Sequence, residues 1–253
     1  MPKAIVAALV CAALLPGPLR AGFDESRMDA RIKTLQQNVD QAFLWNYLGG
    51  NKNAVQTAPA RLTNISLKVL RATGKAMSYR LHLYVVDSDV TNAATSPGGN
   101  IFVYRGILDL GLTDDQVAAL FAHEIAHVMK RHWLTRLKRG VEAARLAQYA
   151  AKTYGKGSAE LTYLYQTIQN LAYNRAEENE ADATGLQLLA NAGYPPMAMA
   201  ELLEKVQARQ AQDPAAAKTA AYLSSHPMIP ERVARIRALA ASGRLKPQKK
   251  RLF

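Results

Sequence analysis

Two histidines and a glutamate stand at a spacing that suits metal-assisted hydrolysis. Residues 121–127 read FAHEIAH, so His123, Glu124 and His127 form an HExxH motif. On a helix, imidazoles at i and i+4 lie one turn apart on one face, where both can bind one metal ion. Zinc lowers the pKa of a bound water to about 7, and an adjacent carboxylate takes its proton. The motif predicts His123 and His127 as zinc ligands and Glu124 as the general base.

The residues before the motif predict the helix that it requires. Thr113 and Gln116 have the spacing of a capping box, and Asp114 follows where a negative charge favours a helix N-terminus. Apolar residues then recur at helical spacing from Val117 to Val128. We therefore predict a buried helix that begins at Asp114. Buried histidine and glutamate are costly unless they are bound or paired, which favours a metal site over an accidental motif.

A catalytic zinc site needs a third protein ligand and an open position for water. The HExxHxxGxxH pattern is excluded, because Lys130 and Trp133 stand where it has glycine and histidine. Farther along the chain, Glu178 and Asp182 are spaced i, i+4 on one helix face. We predict Glu178 as the third ligand and Asp182 as the acceptor that orients one of the two imidazoles. A solvated acidic helix face is the alternative.

The spacing of two further histidines, His132 and His82, does not predict them as metal ligands. His132 lies five residues past His127 and so about 140° around a continuing helix, which predicts a surface residue or one behind the ligands. His82 alternates with Leu81 and Leu83 in a strand-like run, and we assign it no function.

Several separated motifs resemble one known family. They are HEIAH at 123–127, ENEAD at 178–182, and His226-Pro227 followed by Arg232. In this order they look like the gluzincin peptidases of the HtpX, BepA and LoiP kind, which include the prenyl-protein CAAX proteases. The resemblance runs from about residue 81 to residue 236. It implies a zincin-like metallopeptidase domain.

The resemblance also implies a role at the metal for His226, which spacing alone leaves open. His226 would reach the metal, either as a fourth ligand that blocks the water position in a resting state or as a group near the scissile carbonyl. A capping or surface histidine is the alternative. Arg232 would donate to the developing oxyanion, or it is a surface residue.

Two β-rich runs precede the predicted zinc helix. They are YRLHLYVVD at 79–87 and NIFVYRGIL at 100–108, the second introduced by Pro97-Gly98-Gly99. In similar enzymes a strand there lies beside the zinc, and its unpaired edge binds an extended substrate. An ordinary hairpin is the alternative. The resemblance places this substrate-binding edge strand at Asn100, Ile101, Phe102 and Val103.

The remaining sequence reads mostly as helix. We predict an N-terminal helix from Asp24 to Leu48, a long helical stretch to about Ala190, and helices that open at Pro195-Pro196 and near Pro230. With the small sheet beside the HExxH helix, this predicts a mostly helical α+β fold. We expect a single metallopeptidase domain over 22–253, with its core at about 81–236 and a basic tail at 243–253.

Residues 1–21 have the pattern of a secretory signal peptide. Lys3 is followed by an apolar run to Leu15 that is too short to span a bilayer, and Ala21 suits cleavage. We therefore expect export to a bacterial periplasm, with outer-membrane association a further option. Cys11 is the only cysteine, so the exported chain would be stabilised by packing and metal rather than by disulfides.

The chain carries a formal net charge of +12. Basic clusters at 130–139 and 244–251 suit contact with anionic membrane or lipopolysaccharide surfaces, or they are solvated. Export argues against nucleic acid. We expect an endopeptidase with one zinc ion per chain that cleaves envelope or misfolded membrane-associated polypeptides. The alternative is a chaperone-like assembly or quality-control factor for the outer membrane, with a latent or self-inhibited zinc site.

Overall fold

The computed structural model describes residues 55–74, 82–95, 100–132, 135, 173–212, 222, 225–227 and 230–247. The predicted signal peptide and the helix at 24–48 lie outside them. None of the helices within these ranges has the length and apolar character that crossing a bilayer requires. The elements are β1 (Val55–Thr57), α1 (Ala60–Arg71), β2 (His82–Val86), β3 (Ala93–Thr95), β4 (Asn100–Tyr104), α2 (Arg105–Leu108), α3 (Asp114–Met129), α4 (Arg175–Ala192), α5 (Ala198–Gln212) and α6 (Pro230–Ala241).

The described strands form one mixed sheet in the order β1-β2-β4-β3. β2 and β4 are parallel, with His82 opposite Asn100, while β3 runs antiparallel to β4 with Ala94 opposite Phe102. Every residue of β4 is buried. After Asn100, the apolar run IFVY suits a central strand that is covered on both faces. The small sheet and the predominance of helix confirm the predicted α+β class.

The prediction that Asn100, Ile101, Phe102 and Val103 form an unpaired edge is wrong. β4 is hydrogen-bonded to β2 on one side and to β3 on the other. Among the described strands, the edges of the sheet are β1 and β3, and β3 also packs against α3. The strand is also shorter than the β-rich run at 100–108, since the chain from residue 105 onwards folds as α2.

The capping box places the N-terminus of α3 where the sequence predicts it. The backbone N–H of Gln116 donates to Thr113 Oγ1 at 3.3 Å, and the N–H of Thr113 donates to Gln116 Oε1 at 3.2 Å. The helix begins at Asp114. From Gln116 to Val128 every residue is buried, because α1, α4, α5 and β3 all pack around the helix. α3 is the central element of the described fold.

α4 lies unusually close to α3. Its N-terminus has a second capping box, in which Asn174 Oδ1 accepts from the N–H of Glu177 and Glu177 Oε2 accepts from the N–H of Asn174, both at 2.8 Å. A Cβ atom at Gly185 would lie 3.3 Å from the Ala122 backbone and 2.7 Å from Met199 Cε. The glycine therefore permits the close approach that brings the two helices together.

The two C-terminal helices complete the packing around this pair. α5 begins at Ala198 rather than at the two prolines, because the carbonyls of Pro195 and Pro196 form a turn that accepts from the N–H groups of Ala198 and Met199. α6 begins at Pro230, as predicted, and packs on α4 and α5. The sequence thus places both helices to within a few residues.

Candidate metal centre

His123 and His127 lie on the buried face of α3 with their Nε2 atoms 3.0 Å apart. Glu178 reaches them from the first turn of α4, with Oε1 at 3.3 Å from His127 Nε2 and Oε2 at 3.6 Å from His123 Nε2. The structure therefore brings together the two imidazoles and the carboxylate that the sequence analysis assigned as ligands.

His226 supplies a fourth donor atom. Its Nδ1 lies 3.2 Å from His123 Nε2 and 3.0 Å from Glu178 Oε1. The four donor atoms, one from each of His123, His127, Glu178 and His226, all lie within 4.8 Å of one another. His226 is 1% exposed, so the surface alternative is wrong.

The spacing of these donors fits a tetrahedral cation. Ligand-to-metal distances of about 2.0–2.1 Å place neighbouring ligands of a tetrahedral ion about 3.3 Å apart. The separations given above range from 3.0 to 3.6 Å. Imidazole and carboxylate together are a donor set that suits zinc and other divalent ions. The cluster therefore has the size and the chemistry of a metal site.

The protonation of the imidazoles supports the same conclusion. His123 Nδ1 lies 3.2 Å from Asp182 Oδ1, so this nitrogen carries the ring proton in the neutral imidazole and leaves a lone pair on Nε2. The His127 ring likewise turns its Nδ1 away from the cluster, toward His132. Two nitrogen lone pairs 3.0 Å apart repel each other unless a cation or a proton lies between them.

Glu178 and Asp182 on α4 are held as anions. Burial raises the pKa of Glu178, but the imidazoles of His226 and His127 lower it more, so that its pKa falls well below its usual range. Burial also raises the pKa of Asp182, while contacts with His123 and Arg232 lower it to about 2 overall. Both groups can therefore act as ionised ligand and acceptor at neutral pH.

Asp182 and Arg232 form a buried pair behind the ligands. Arg232 Nε and Nη2 donate to the two oxygens of Asp182 at 2.8 and 2.7 Å, and its Nη1 lies 2.6 Å from Glu178 Oε2. Arg235 Nη2 donates to Asp182 Oδ2 at 3.0 Å. Arg232 is 1% exposed, so its surface alternative is wrong. Its guanidinium holds Asp182 and Glu178 in place, while the oxyanion role stays a prediction.

Glu124 is placed as a general base requires. Its side chain is fully buried, and neither carboxylate oxygen has a hydrogen-bond partner in the part of the chain that the structure describes. Oε1 lies 3.5 Å from His226 Nε2, next to the donor cluster. A carboxylate without a partner beside a set of metal ligands is available to accept a proton from water.

Two aromatic neighbours of the ligands were not predicted from the sequence. Tyr173 stacks on His127 with ring centroids 3.8 Å apart, and Tyr222 stacks on His226 at 4.6 Å. The hydroxyl of Tyr222 is buried and has no hydrogen-bond partner among the described residues. Its position four residues before His226, one helical turn, is a signal that would have indicated this contact. Tyr173 has no such local signal.

A third neighbour is His132, which is 3% exposed and lies with Nδ1 at 2.8 Å from His127 Nδ1. Of its two predicted positions, the one at the surface is wrong and the one behind the ligands agrees with the structure. The angle of about 140° applies only to a continuing helix, whereas α3 ends at Met129. His82 lies on β2, outside this cluster.

The fold and the donor cluster together define the class of protein. A buried HExxH helix beside a small sheet, with a glutamate donor from a second helix, is the arrangement of metal-dependent peptidases. The model of peptidase family M48 matches residues 57–240 of the chain. The chain therefore belongs to peptidase family M48, which confirms the resemblance given by the motifs.

Individual relatives agree with this assignment. The chain is 30% identical over 170 residues to the mitochondrial metalloendopeptidase OMA1 of Schizosaccharomyces pombe, covering 67% of this chain and 50% of that protein. It is 30% identical over 165 residues to the beta-barrel assembly-enhancing protease of Escherichia coli, covering 60% of this chain and 33% of that protein. It is 27% identical over 227 residues to the metalloprotease LoiP of Escherichia coli, covering 84% of this chain and 81% of that protein. The chain thus spans half or less of the first two relatives.

Proposed function

We propose that the protein is an endopeptidase that binds one zinc ion per chain through His123, His127 and Glu178. One observation carries the proposal. Buried nitrogen and oxygen donors converge at separations of 3.0–3.6 Å beside the carboxylate of Glu124, which has no hydrogen-bond partner among the described residues. Structural acids and histidines are normally paired when buried, whereas a catalytic base must be free to accept a proton.

The residues divide the reaction between them. Zinc, when bound, supplies the Lewis acidity that lowers the pKa of water and polarises a peptide carbonyl. Glu124 accepts the proton of the attacking water and passes it to the leaving amine. Asp182 holds His123 through Nδ1, and Arg232 holds Asp182 and Glu178, so the ligand set is fixed before substrate arrives.

The substrate backbone would lie along β3 rather than β4. β3 is an edge of the described sheet and packs on α3, the helix that carries the HExxH motif. Just before this strand, the carbonyl of Thr91 accepts from the N–H of Tyr222 at 3.2 Å, which ties the edge to the segment that carries His226. An extended peptide added to β3 would therefore run beside the donor cluster.

The proposed substrates are unfolded or membrane-associated envelope polypeptides in a bacterial periplasm. Support comes from the signal-like residues 1–21 and from a relative whose name describes a protease that enhances beta-barrel assembly. The net charge of +12 supports contact with anionic membrane or lipopolysaccharide surfaces, and export argues against nucleic acid.

A second proposal concerns self-inhibition. If Nδ1 of His226 bound the ion as a fourth ligand, no position of a tetrahedral ligand set would remain for water. This arrangement favours a site that is latent until His226 moves, and it would suit an assembly or quality-control factor in which cleavage is the exceptional event. The two proposals share the metal site. They differ in how often the ligand position near His226 is open to water.

The test replaces Glu124 by glutamine in the full chain. We expect Glu124→Gln to lower cleavage of an unfolded protein such as casein by about 10²–10⁴-fold, because the amide cannot accept the proton. Zinc content should stay near one per chain, since Glu124 is not a ligand. The matched control is Glu231→Gln, an exposed glutamate on α6, which should cleave like the wild type.

Two results would contradict the endopeptidase proposal. One is equal cleavage by Glu124→Gln and the wild type with zinc bound. The other is that neither the wild type nor Glu124→Gln cleaves casein, while both equally restore the envelope of a cell that lacks the protein. That result would favour the assembly role.

A further inference from the structure

The chain makes an unusual turn at the end of the HExxH helix. Arg131 has φ 55°, and it is the one non-glycine residue in the described ranges with a positive φ. Side chains with a Cβ atom seldom adopt this left-handed conformation, and where they do the surrounding contacts enforce it. The turn follows the helix directly and precedes a histidine that is 3% exposed, His132.

Beyond the turn, His132 begins a line of hydrogen-bonding groups that leads away from the donor cluster. His132 Nδ1 lies 2.8 Å from His127 Nδ1, and His132 Nε2 lies 3.2 Å from Glu180 Oε2. The other oxygen of Glu180 accepts from Lys130 Nζ at 2.7 Å. The line therefore joins the end of α3 to Glu180, an exposed residue on α4 two positions after Glu178.

Metal ligation fixes the direction of every proton in this line. If His127 binds through Nε2, its neutral ring carries the proton on Nδ1, which must donate. His132 Nδ1 is then the acceptor, so the proton of the His132 ring is on Nε2 and is donated to Glu180. Glu180 can only accept, and Lys130 can only donate. All four groups satisfy one another in this single arrangement.

We propose that His132 and Glu180 are positioning residues that fix the tautomer and ring orientation of His127. The inference rests on the proposed metal site and deepens it. The two imidazoles on α3 are then held differently, His123 by the carboxylate of Asp182 and His127 by a neutral imidazole that is itself oriented by Glu180. Tyr173, stacked on His127 with ring planes 25° apart, limits the remaining rotation.

The test measures zinc affinity of the full chain by competition with a chelator. His132→Phe keeps a buried ring but removes the acceptor, and we expect it to weaken zinc binding by about 10–100-fold. His132→Asn can place an amide oxygen where Nδ1 stood, and it should keep most of the affinity. Glu180→Leu should have an intermediate effect, because His132 remains but loses its orienting partner. His82→Phe, an exposed histidine on β2, is the control that should bind zinc like the wild type.

A second measurement separates positioning from packing. Cobalt substituted for zinc gives a visible spectrum that depends on ligand geometry, and we expect this spectrum to change in His132→Phe and not in His132→Asn. Wild-type affinity and spectrum in His132→Phe would overturn the proposal. Equal loss of affinity in the Phe and Asn variants, matched by an equal fall in the Tm of both metal-free proteins, would also overturn it.

These results are distinguishable from failure of the endopeptidase proposal. If the wild type binds zinc and cleaves nothing, that proposal fails, while a loss of zinc affinity confined to His132→Phe still supports the positioning role. If the wild type binds no zinc, the metal site is wrong and the positioning role is overturned with it.

Discussion

At the scale of single residues, the surroundings of the two imidazoles of the HExxH motif shift their pKa values in opposite directions. Burial alone lowers the pKa of His123, but the carboxylates of Asp182 and Glu178 raise it above its ordinary value. For His127, burial and the neighbouring His123 lower the pKa well below its ordinary value. A histidine with a lowered pKa keeps its lone pair free at neutral pH, so His127 is ready to bind a cation without first losing a proton.

The fourth donor provides a prediction at this scale. We expect His226→Ala to raise basal cleavage of casein several-fold and to weaken zinc binding, because the change opens the ligand position for water while removing one donor. Cleavage rates and zinc affinity would be measured on the same preparation, with His82→Ala as the unaffected control. Loss of cleavage with zinc retained would instead assign His226 to the scissile carbonyl.

The sequence identified the residues that share a helix and missed the two tyrosines that tertiary packing brings against the imidazoles. His123 and His127, and likewise Glu178 and Asp182, are fixed relative to each other by the helical period, so their spacing was sufficient. His132 follows a helix end at which Arg131 turns the chain, and angular extrapolation fails there. Tyr173 meets His127 across a long sequence separation that no local pattern encodes.

At the scale of elements, the sequence indicated β4 as the edge strand of the sheet, whereas the edge beside α3 is β3. The four residues IFVY form a continuous apolar run, which is typical of a strand paired on both sides, and β4 is such a strand. The three residues AAT of β3 have no strand signature of their own. A short edge strand owes its conformation to its partner, so its position could not be predicted from its own residues.

The close contact of α3 and α4 yields an element-scale prediction. We expect Gly185→Leu to lower the free energy of unfolding by about 1–3 kcal/mol and to weaken zinc binding, because the added side chain meets the Ala122 backbone and pushes α4 from α3. Glu178 lies two turns before Gly185 on the same helix and would move with it. Denaturant unfolding and chelator competition would measure the two effects.

The matched control for this change lies two residues earlier. Ala183→Leu adds a leucine on the exposed side of α4 and should leave both quantities close to wild type. If Gly185→Leu behaved in the same way as this control, the helices would not be packed as closely as the structure indicates.

At the scale of the whole molecule, ion pairs link α6, near the C-terminus, to α4, the helix that carries Glu178. Arg232 is buried against Asp182 and Glu178, whereas Arg237 on the same helix pairs with Glu204 at the surface. Burial lowers the pKa of Arg232, but Asp182 raises it more, so the guanidinium stays charged. A buried charge that loses its partner is costly, while an exposed pair contributes little.

We therefore expect Arg232→Leu to lower the free energy of unfolding by about 3–5 kcal/mol, and Arg237→Leu to lower it by at most about 1 kcal/mol. The pKa of Asp182 falls from 3.8 to about 2 in the folded protein, so its ionic contribution is present above about pH 4 and is lost as pH falls toward 2. The difference between wild type and Arg232→Leu should shrink over that window. Denaturant unfolding at several pH values in excess chelator measures this, and a pH-independent difference would contradict the ion-pair explanation.

The sequence predicted the α+β class and the helices that carry the site, because capping boxes and helical periodicity are local signals. It placed the His226 segment near the metal only through the motifs shared with a family, since no local rule brings residue 226 to residue 123. The domain limits at 22–253, the basic tail at 243–253 and the export to the periplasm stay predictions.

The donors of the cluster are far apart along the chain. His226 follows His123 by 103 residues and Glu178 by 48. An unfolded chain cannot gather these groups around one ion, so affinity for the ion belongs to the folded state and is linked to folding. Free zinc at 100 times its Kd would add about 2.7 kcal/mol to stability. Scarcity of the ion would therefore lower the amount of folded protein in the cell as well as its catalytic activity.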